Sequence, residues 1–459
     1  MKSLLVKINN KLNAQGGFLK AVSVLVGGTA FAQGVSILTL PILTRLYNPA
    51  EFAIFAVYTS LLMTLMVGSC LRFEIAISIP EDDKEAVHLV LLSLISNSII
   101  SLLVALIIWL FHAEIIIILK QPGFSKLIWL LPIGIFFSGI YNTLQYWITR
   151  KKQFKLIAKT RVLQSLSGTS IQLIMGVMGF SSIGLILGQI IKVSAGIKQL
   201  AVNFYYETNQ FLRSVSFSQL KQTFKKYDQF PKYSTFEGLA NAAGIQLPLI
   251  IIAALAKGPQ AGYLMLAMQI MAVPMRFIGG AVSQVYLAQA PKALEKGEIG
   301  EYTVNVLMDL LKYGVSILIV IGVVSPLLVK YIFGNEWAYV GILISWMIPW
   351  FIFQLLSSPI SMIMHISGKQ KEILFLTVFG FVLKIGALYA QYNIDPRYLL
   401  ENYTICSAIF YGICFFVFSK AAKLNFKNYI FLVKKTLPLL SVVSGLVLIL
   451  VIFLRGFGL

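Results

Sequence analysis

Five basic residues sit inside long apolar runs: Arg72, Lys192, Arg276, Lys312 and Lys384. A cation at the centre of a bilayer costs about 2.5–3.5 kcal/mol on the insertion scale, so each needs a partner or a task. Lys192, Arg276 and Lys384 fall near the middle of their runs. Arg72 and Lys312 fall toward the cytoplasmic side, where snorkelling to the headgroups explains them equally well. Glu74, Glu237 and Asp309 all map toward the cytoplasmic third, which leaves the mid-membrane charge positive. Such a site asks for an anion, or for buried pairing with an acid. Arg276 follows Pro274, whose missing donor loosens the helix, and a guanidinium fork grips phosphate oxygens well. Asp309 lies one turn from Lys312 and is a local pairing candidate. Arg72 and Glu74, two apart on a helix, point to different sides, so Glu74 becomes a candidate proton or cation carrier.

A second constellation is Tyr141, Asn142 and Gln145, with Tyr146 and Trp147 beside them. Tyr141 and Gln145 share a helix face at i, i+4, and amide with aromatic groups suits sugar hydroxyls and rings. An interfacial aromatic belt explains Tyr146 and Trp147 as well, since Arg150 follows closely. His88, His112 and His365 are far apart in the sequence, and Cys70, Cys406 and Cys414 have no ligand spacing, so neither a metal nor another cofactor is expected. Nothing resembles a phosphate-binding loop or a nucleophile elbow, and no catalytic residue or enzyme activity is expected.

Membrane helices must position these groups. Of 459 residues, 58% are hydrophobic and 12% charged, with a mean hydropathy of +0.82; a soluble domain carries about a quarter charged residues. That excludes a soluble enzyme. Three cysteines cannot build a disulfide framework. The net charge of +20 lies in short gaps between apolar runs rather than on one polar face, so it orients the chain in a membrane and does not point to nucleic acid.

Runs long enough to span fall at 18–44, 52–79, 86–111, 126–149, 162–180, 183–205, 236–256, 261–290, 304–329, 339–364, 371–392, 398–419 and 437–454. The lipid environment makes them helices. The first run carries Ala30-Phe31-Ala32, which could pass for a leader cleavage site, but its apolar stretch continues to Leu43, and a retained span is expected. With the N-terminus cytoplasmic, 26 of the 38 Lys and Arg fall in inner gaps and 7 in outer ones, a bias that sets the orientation. The acidic inner loop Glu81–Glu85 breaks the pattern without changing it. The side of the C-terminus depends on whether 437–454 spans.

An offset of 210 residues lays the outer turn at Pro49 on that at Pro259 and Gly34 on Gly244, with Pro41 and Pro248 interrupting the matched helices. Two parallel six-span halves follow, and Gly/Pro-interrupted spans in matching positions point to a transport pathway. Gly34, Pro41, Gly244 and Pro248 therefore join Glu74 and Asp309 as coupling or gating candidates. The expected organisation is a first lobe at 1–205, a basic linker at 206–235 that lies against anionic headgroups, a second lobe at 236–419, and a basic segment with an extra helix at 420–459.

Leu40-Pro41-Ile42-Leu43-Thr44-Arg45-Leu46-Tyr47, then Arg72-Phe73-Glu74-Ile75-Ala76 and an acidic inner loop, resemble the polysaccharide transporter family, the O-antigen and capsule repeat-unit flippases. That family shares a superfamily with multidrug and toxic-compound extruders and lipid II flippases. The basic stretch from Lys225 to Ser234 fits as well. The resemblance implies an all-α, polytopic fold of the extruder type with two six-helix lobes and 12–13 spans. It implies alternating-access transport of undecaprenyl-diphosphate-linked oligosaccharide across the bacterial inner membrane, in contact with membrane lipids and coupled to protons or sodium. A glycan polymerase would be a working partner. Arg72 lies in the shared motif and is expected, with Arg276, Lys192 and Lys384, at the diphosphate. Two rivals stay open. A drug exporter of the same fold would call for deep acidic residues, and a membrane-embedded glycan polymerase would usually need a large outer loop.

Overall fold

The computed structural model describes residues 17–256, 258–367 and 369–456. The N-terminal lysines Lys2, Lys7 and Lys11, together with Lys257, lie outside the described residues, as does the side chain of His365. Among the described residues the regular structure is helical throughout. In chain order the helices are α1 (Gly17–Leu38), α2 (Leu40–Leu46), α3 (Pro49–Ser69), α4 (Phe73–Ala76), α5 (Asp83–Leu110), α6 (His112–Leu119), α7 (Leu130–Arg150), α8 (Phe154–Val177), α9 (Ser181–Ser194), α10 (Ile197–Arg213) and α11 (Phe217–Lys226). They continue as α12 (Thr235–Leu255), α13 (Gln260–Pro274), α14 (Gly280–Glu295), α15 (Ile299–Asp309), α16 (Ser316–Phe333), α17 (Ala338–Ile360), α18 (Met362–Ile366), α19 (Gln370–Ile394), α20 (Leu399–Ala421) and α21 (Phe426–Gly456).

Twelve stretches among the described residues are helical, long and apolar enough to cross a membrane. They differ in membership from the thirteen expected runs. The run at 437–454 qualifies within Phe426–Ile449, whereas the run at 162–180 does not. It lies in the 24-residue α8, which spends polar groups on packing: the Ser165 hydroxyl donates to the Ala32 carbonyl at 2.6 Å and Gln172 Nε2 to the Leu185 carbonyl at 3.2 Å. With α1 and α9 packed against it, α8 needs no apolar surface there. Glycines permit the closeness. A Cβ on Gly188 would come within 2.3 Å of Gln172 Cγ, and one on Gly168 within 2.5 Å of Lys192 Cβ, as small-residue contacts between membrane helices allow.

Several expected continuous spans are divided. The first breaks at Thr39, ahead of Pro41, and the sixth at Ala195-Gly196, where Gly196 has a φ of 90° that a side chain would resist. The eighth and ninth contain π-helical turns at Met275–Gly279 and Leu310–Val315. Pro248 interrupts nothing: α12 runs unbroken through it, a case of a membrane helix tolerating proline. Pro49 and Pro259 both stand at helix starts, where a missing N–H costs little. A Cβ on Gly34 or Gly244 would meet nothing within 4 Å, so packing does not dictate either glycine.

The chain divides into two compact units, Met1–Tyr47 with Ile54–Ile250, and Asn48–Ala53 with Ile251–Leu459. This differs from the expected boundary at 236. The start of α12 belongs with the first unit because Gly238 and Leu239 pack on Val67, Gly68 and Arg72. In the first unit, Phe73, Val87, Trp147, Leu200 and Phe204 build a buried core. In the second, α17 packs against α13, α14, α16 and α20.

Candidate functional site

The first unit holds its charged residues around a break between α3 and α4. Leu71 and Arg72 are consecutive non-glycine residues with φ of 50° and 62°. Each such residue costs on the order of 1–3 kcal/mol and persists only where its surroundings over-determine it. Those surroundings are visible. Cys70 Sγ lies 3.5 Å from Thr143 Oγ1 and 3.7 Å from the Gly139 carbonyl of α7. Phe73 is fully buried and meets Phe224 of α11 with ring centroids 5.4 Å apart.

Downstream, Arg150 donates to the carbonyls of Ile77 (3.2 Å), Pro80 and Glu81 (3.0 Å) and pairs with Asp83 (3.1 Å), which Lys151 also binds. On the same loop Glu85 pairs with Lys226 at 2.5 Å, and this hydrogen bond raises the Lys226 ammonium above its usual pKa range. The acidic loop that departed from the positive-inside pattern is thus a docking strip for Arg150, Lys151 and the linker. Its functional weight was not visible from charge counting, although an acidic loop facing basic loops on one side is the signal for it.

Arg72 and Glu74 are not an ion pair, since Arg72 precedes α4 in the left-handed region instead of lying on a common helix. The Arg72 guanidinium lies against Gly238, where a Cβ would come within 3.0 Å of its carbon, and its Nε is buried with no partner. Glu74 is 4% exposed, and its Oε2 is likewise buried and unpartnered. Both act electrostatically on Tyr146.

On α7, Tyr141 is 6% exposed and its hydroxyl is 2.9 Å from Thr160 Oγ1. It is closed in the core and not positioned to meet a sugar. Asn142 and Gln145 remain half-buried and accessible. Gln145 Oε1 accepts from Arg161 Nη2 at 3.2 Å, and Arg161 Nε is buried without a partner. Arg161, counted from sequence among the inner loops, lies two turns inside α8. Lys155 and Lys159, at the start of α8, are both exposed, and as like charges at i, i+4 they gave no sign that the helix begins upstream of 162. Lys192 sits in the last turn of α9, just before the break at Gly196, where a cation suits the carbonyl end of a helix.

In the second unit Arg276 occupies a π turn directly after Pro274, where the sequence led us to expect only a loosened helix. It is exposed and makes no ion pair or hydrogen bond among the described residues. Lys312 lies in the neighbouring π turn. The expected Asp309–Lys312 pair does not form, because the wider turn carries i and i+3 further apart around the axis, and Asp309 is exposed without a cation. The two π turns approach at Gly279 and Gly314, both of which face Leu355 of α17. Lys384 has no carboxylate among the described residues; its ammonium stands 4.5 Å from the Phe410 ring centre and 5.3 Å from that of Tyr411. The ring faces compensate part of its charge. No group of three or more potential metal ligands occurs among the described residues.

Solved structures share this architecture. The lipid II flippase MurJ in an inward closed conformation superposes with a TM-score of 0.70 at 12% identity, over 94% of this chain and 99% of that one. An inward-facing multidrug resistance transporter of the MATE family gives 0.59 at 15% identity, over 88% and 99%. A MOP superfamily transporter from Pyrococcus furiosus gives 0.54 at 15%, over 89% and 97%. At these identities the likeness is one of fold: this is a multi-pass, all-α membrane protein with a MurJ- and MATE-like transporter fold. No curated protein matches the sequence. The family described as polysaccharide biosynthesis protein matches residues 42–341, well over half of the chain, and the protein belongs to that family.

Proposed function

We propose that the protein is a flippase for undecaprenyl-diphosphate-linked oligosaccharide, an O-antigen or similar repeat unit. In this reading it resides in the bacterial inner membrane with its N-terminus cytoplasmic and carries the substrate from the inner to the outer leaflet by alternating access of its two halves. The observation that carries the reading is Arg276, a basic group in an apolar helix, exposed in its π turn and without an acid partner among the described residues. A π turn inside a helix frequently marks a functional site. A guanidinium there suits a diphosphate by bidentate geometry. Family membership supplies the polysaccharide context, and the MurJ-like fold is compatible with a lipid-borne cargo.

Arg72 and Lys384 add positive charge along the path, and Lys192 adds more at a helix break. Glu74, buried with one oxygen unpartnered, is the carrier of the coupling proton. The glycan polymerase that consumes the flipped unit is the partner on the outer face.

The test is Arg276→Ala in a strain whose surface glycan depends on this protein. Surface glycan is expected to vanish, with lipid-linked oligosaccharide accumulating in the inner leaflet and membrane insertion unchanged. Normal glycan display in this variant refutes the reading. Resistance to cationic dyes, raised by expression and removed by Glu74→Gln, would favour a drug exporter instead.

A further inference from the structure

Along the cytoplasmic half of α7 the residues sort sharply by exposure. Tyr141, Thr143, Leu144, Trp147 and Ile148 are buried; Asn142, Gln145, Tyr146 and Thr149 are half-buried. Every accessible side chain over these nine residues is polar. Further along the same helix, at Ile133, Phe136, Phe137 and Ile140, the accessible residues turn apolar. Acyl chains would penalise a stripe of two amides and two hydroxyls. The stripe therefore faces water, within about 12 Å of the helix end at 1.5 Å per residue.

Arg161 borders this stripe. Its Nη2 donates to Gln145 Oε1, its Nε is buried and has no partner, and no carboxylate lies within ion-pair distance among the described residues. A buried N–H left without an acceptor is expensive, on the order of 1–3 kcal/mol and more for a charged group. A fold retains it most readily where a ligand completes it. The Gln145 amide nitrogen and the Asn142 amide are not hydrogen-bonded among the described residues, so donors and acceptors for hydroxyls stand beside the cation.

We infer that Arg161, Gln145 and Asn142 form a subsite for an acidic sugar of the translocated oligosaccharide, the guanidinium holding the sugar carboxylate and the two amides its neighbouring hydroxyls. This rests on the flippase reading and extends it from the diphosphate to the glycan. Arg72, which precedes α4 and lies against Gly238, stays with the diphosphate, so the subsite reads composition and Arg72 does not. A charge-assisted contact of this kind is worth about tenfold in affinity, which is about 1.4 kcal/mol.

The experiment measures binding to the purified full chain in nanodiscs with two probes. One is undecaprenyl-diphosphate disaccharide bearing a hexuronate, and the other is the same lipid with a neutral hexose in that position. The natural protein is expected to prefer the acidic probe by about tenfold. In Arg161→Gln that ratio falls to about one with neutral-probe affinity unchanged, and Arg161→Lys retains part of it. The neutral probe reports folding in every variant. Equal affinity of the natural protein for both probes overturns the proposal and leaves the flippase reading standing. So does an equal loss of both in Arg161→Gln, which would make Arg161 a structural or diphosphate residue. Failure of the natural protein to bind either probe defeats the flippase reading itself.

Discussion

Removing the Arg150 guanidinium should release the loop that follows the strained break. Arg150 side-chain exposure is 11%, and the group donates to three consecutive-loop carbonyls as well as to Asp83. A hydrogen bond from a charged donor contributes about 1.5–3 kcal/mol. The Glu81 carbonyl is exposed and would turn to water, and Asp83 keeps Lys151. What is lost in Arg150→Ala is the pair of part-buried bonds to Ile77 and Pro80, about 3 kcal/mol at the low end of that range. This corresponds to a rise of about a hundredfold in the opening equilibrium of residues 77–83. Amide hydrogen exchange read by mass spectrometry in nanodiscs measures that constant segment by segment. Arg150→Lys should give an intermediate value, since one ammonium reaches Asp83 but not three carbonyls. Substrate transport should fall in parallel if the clamped loop, which follows α4 directly, is needed to hold Glu74 in place. Unchanged exchange at 77–83 in a folded Arg150→Ala protein, or a rise spread evenly over both units, refutes the clamp.

Further expectations concern single side chains. Glu74→Gln should leave expression and thermal melting intact while abolishing glycan export; export that keeps its dependence on a proton gradient would rule out Glu74 as the carrier. Gly188→Ala should destabilise by about 1–3 kcal/mol through overpacking, since its Cβ would stand 2.3 Å from Gln172 Cγ, and a detergent melting curve reads this directly. Gly244→Ala meets open space and should gain about 1 kcal/mol of helix stability; higher melting with lower transport would identify Gly244 as a hinge, and unchanged transport would end its gating role. Lys384→Met should raise thermal stability modestly, as removal of a half-buried charge that only ring faces compensate can do, and reduce transport; a fall in stability would mean that the contact with Phe410 more than offsets the desolvation.

What could be read from the sequence was whatever depends on composition over twenty residues. The apolar runs and the inner basic gaps express bulk hydropathy, so α5, α7 and α17 lie where the sequence puts them, whereas Pro274 signalled a loosened helix but not the π turn that follows it. The breaks did not follow from the same signals. The left-handed pair Leu71-Arg72 carries neither glycine nor asparagine, because its conformation is set by the packing of Cys70 and Phe73 across the unit and not by its own preference. Arg161 was hidden by the convention that a charge ends a span. Its helix is polar on a face that neighbouring helices cover, and hydropathy cannot distinguish such a helix from a loop. Tyr141 looked like a sugar contact because i, i+4 spacing fixes which residues share a face but not which way that face turns.

The π turns explain how two of the basic groups in the later spans, Arg276 and Lys312, come to lie there; Lys384 stands in plain α-helix. Three occur among the described residues, Phe230–Ser234, Met275–Gly279 and Leu310–Val315, and each contains one basic residue: Lys232, Arg276 and Lys312. A π turn inserts an extra residue into the ladder, so the regular partners of nearby backbone groups are lost and the carbonyls there are open to another donor. A long cationic side chain is suited to that place, since it can rest near freed carbonyls when the site is empty and turn outward to an anion when it is filled. Lys232 already has Asp228 at 2.5 Å and is thereby committed. Arg276 and Lys312 have no such acid among the described residues. On this argument, converting the turn to plain α-helix by deleting Met275 should rotate Arg276 by about 100° relative to the preceding helix and abolish transport as completely as Arg276→Ala. Transport that survives the deletion would detach the role of the arginine from the turn that carries it.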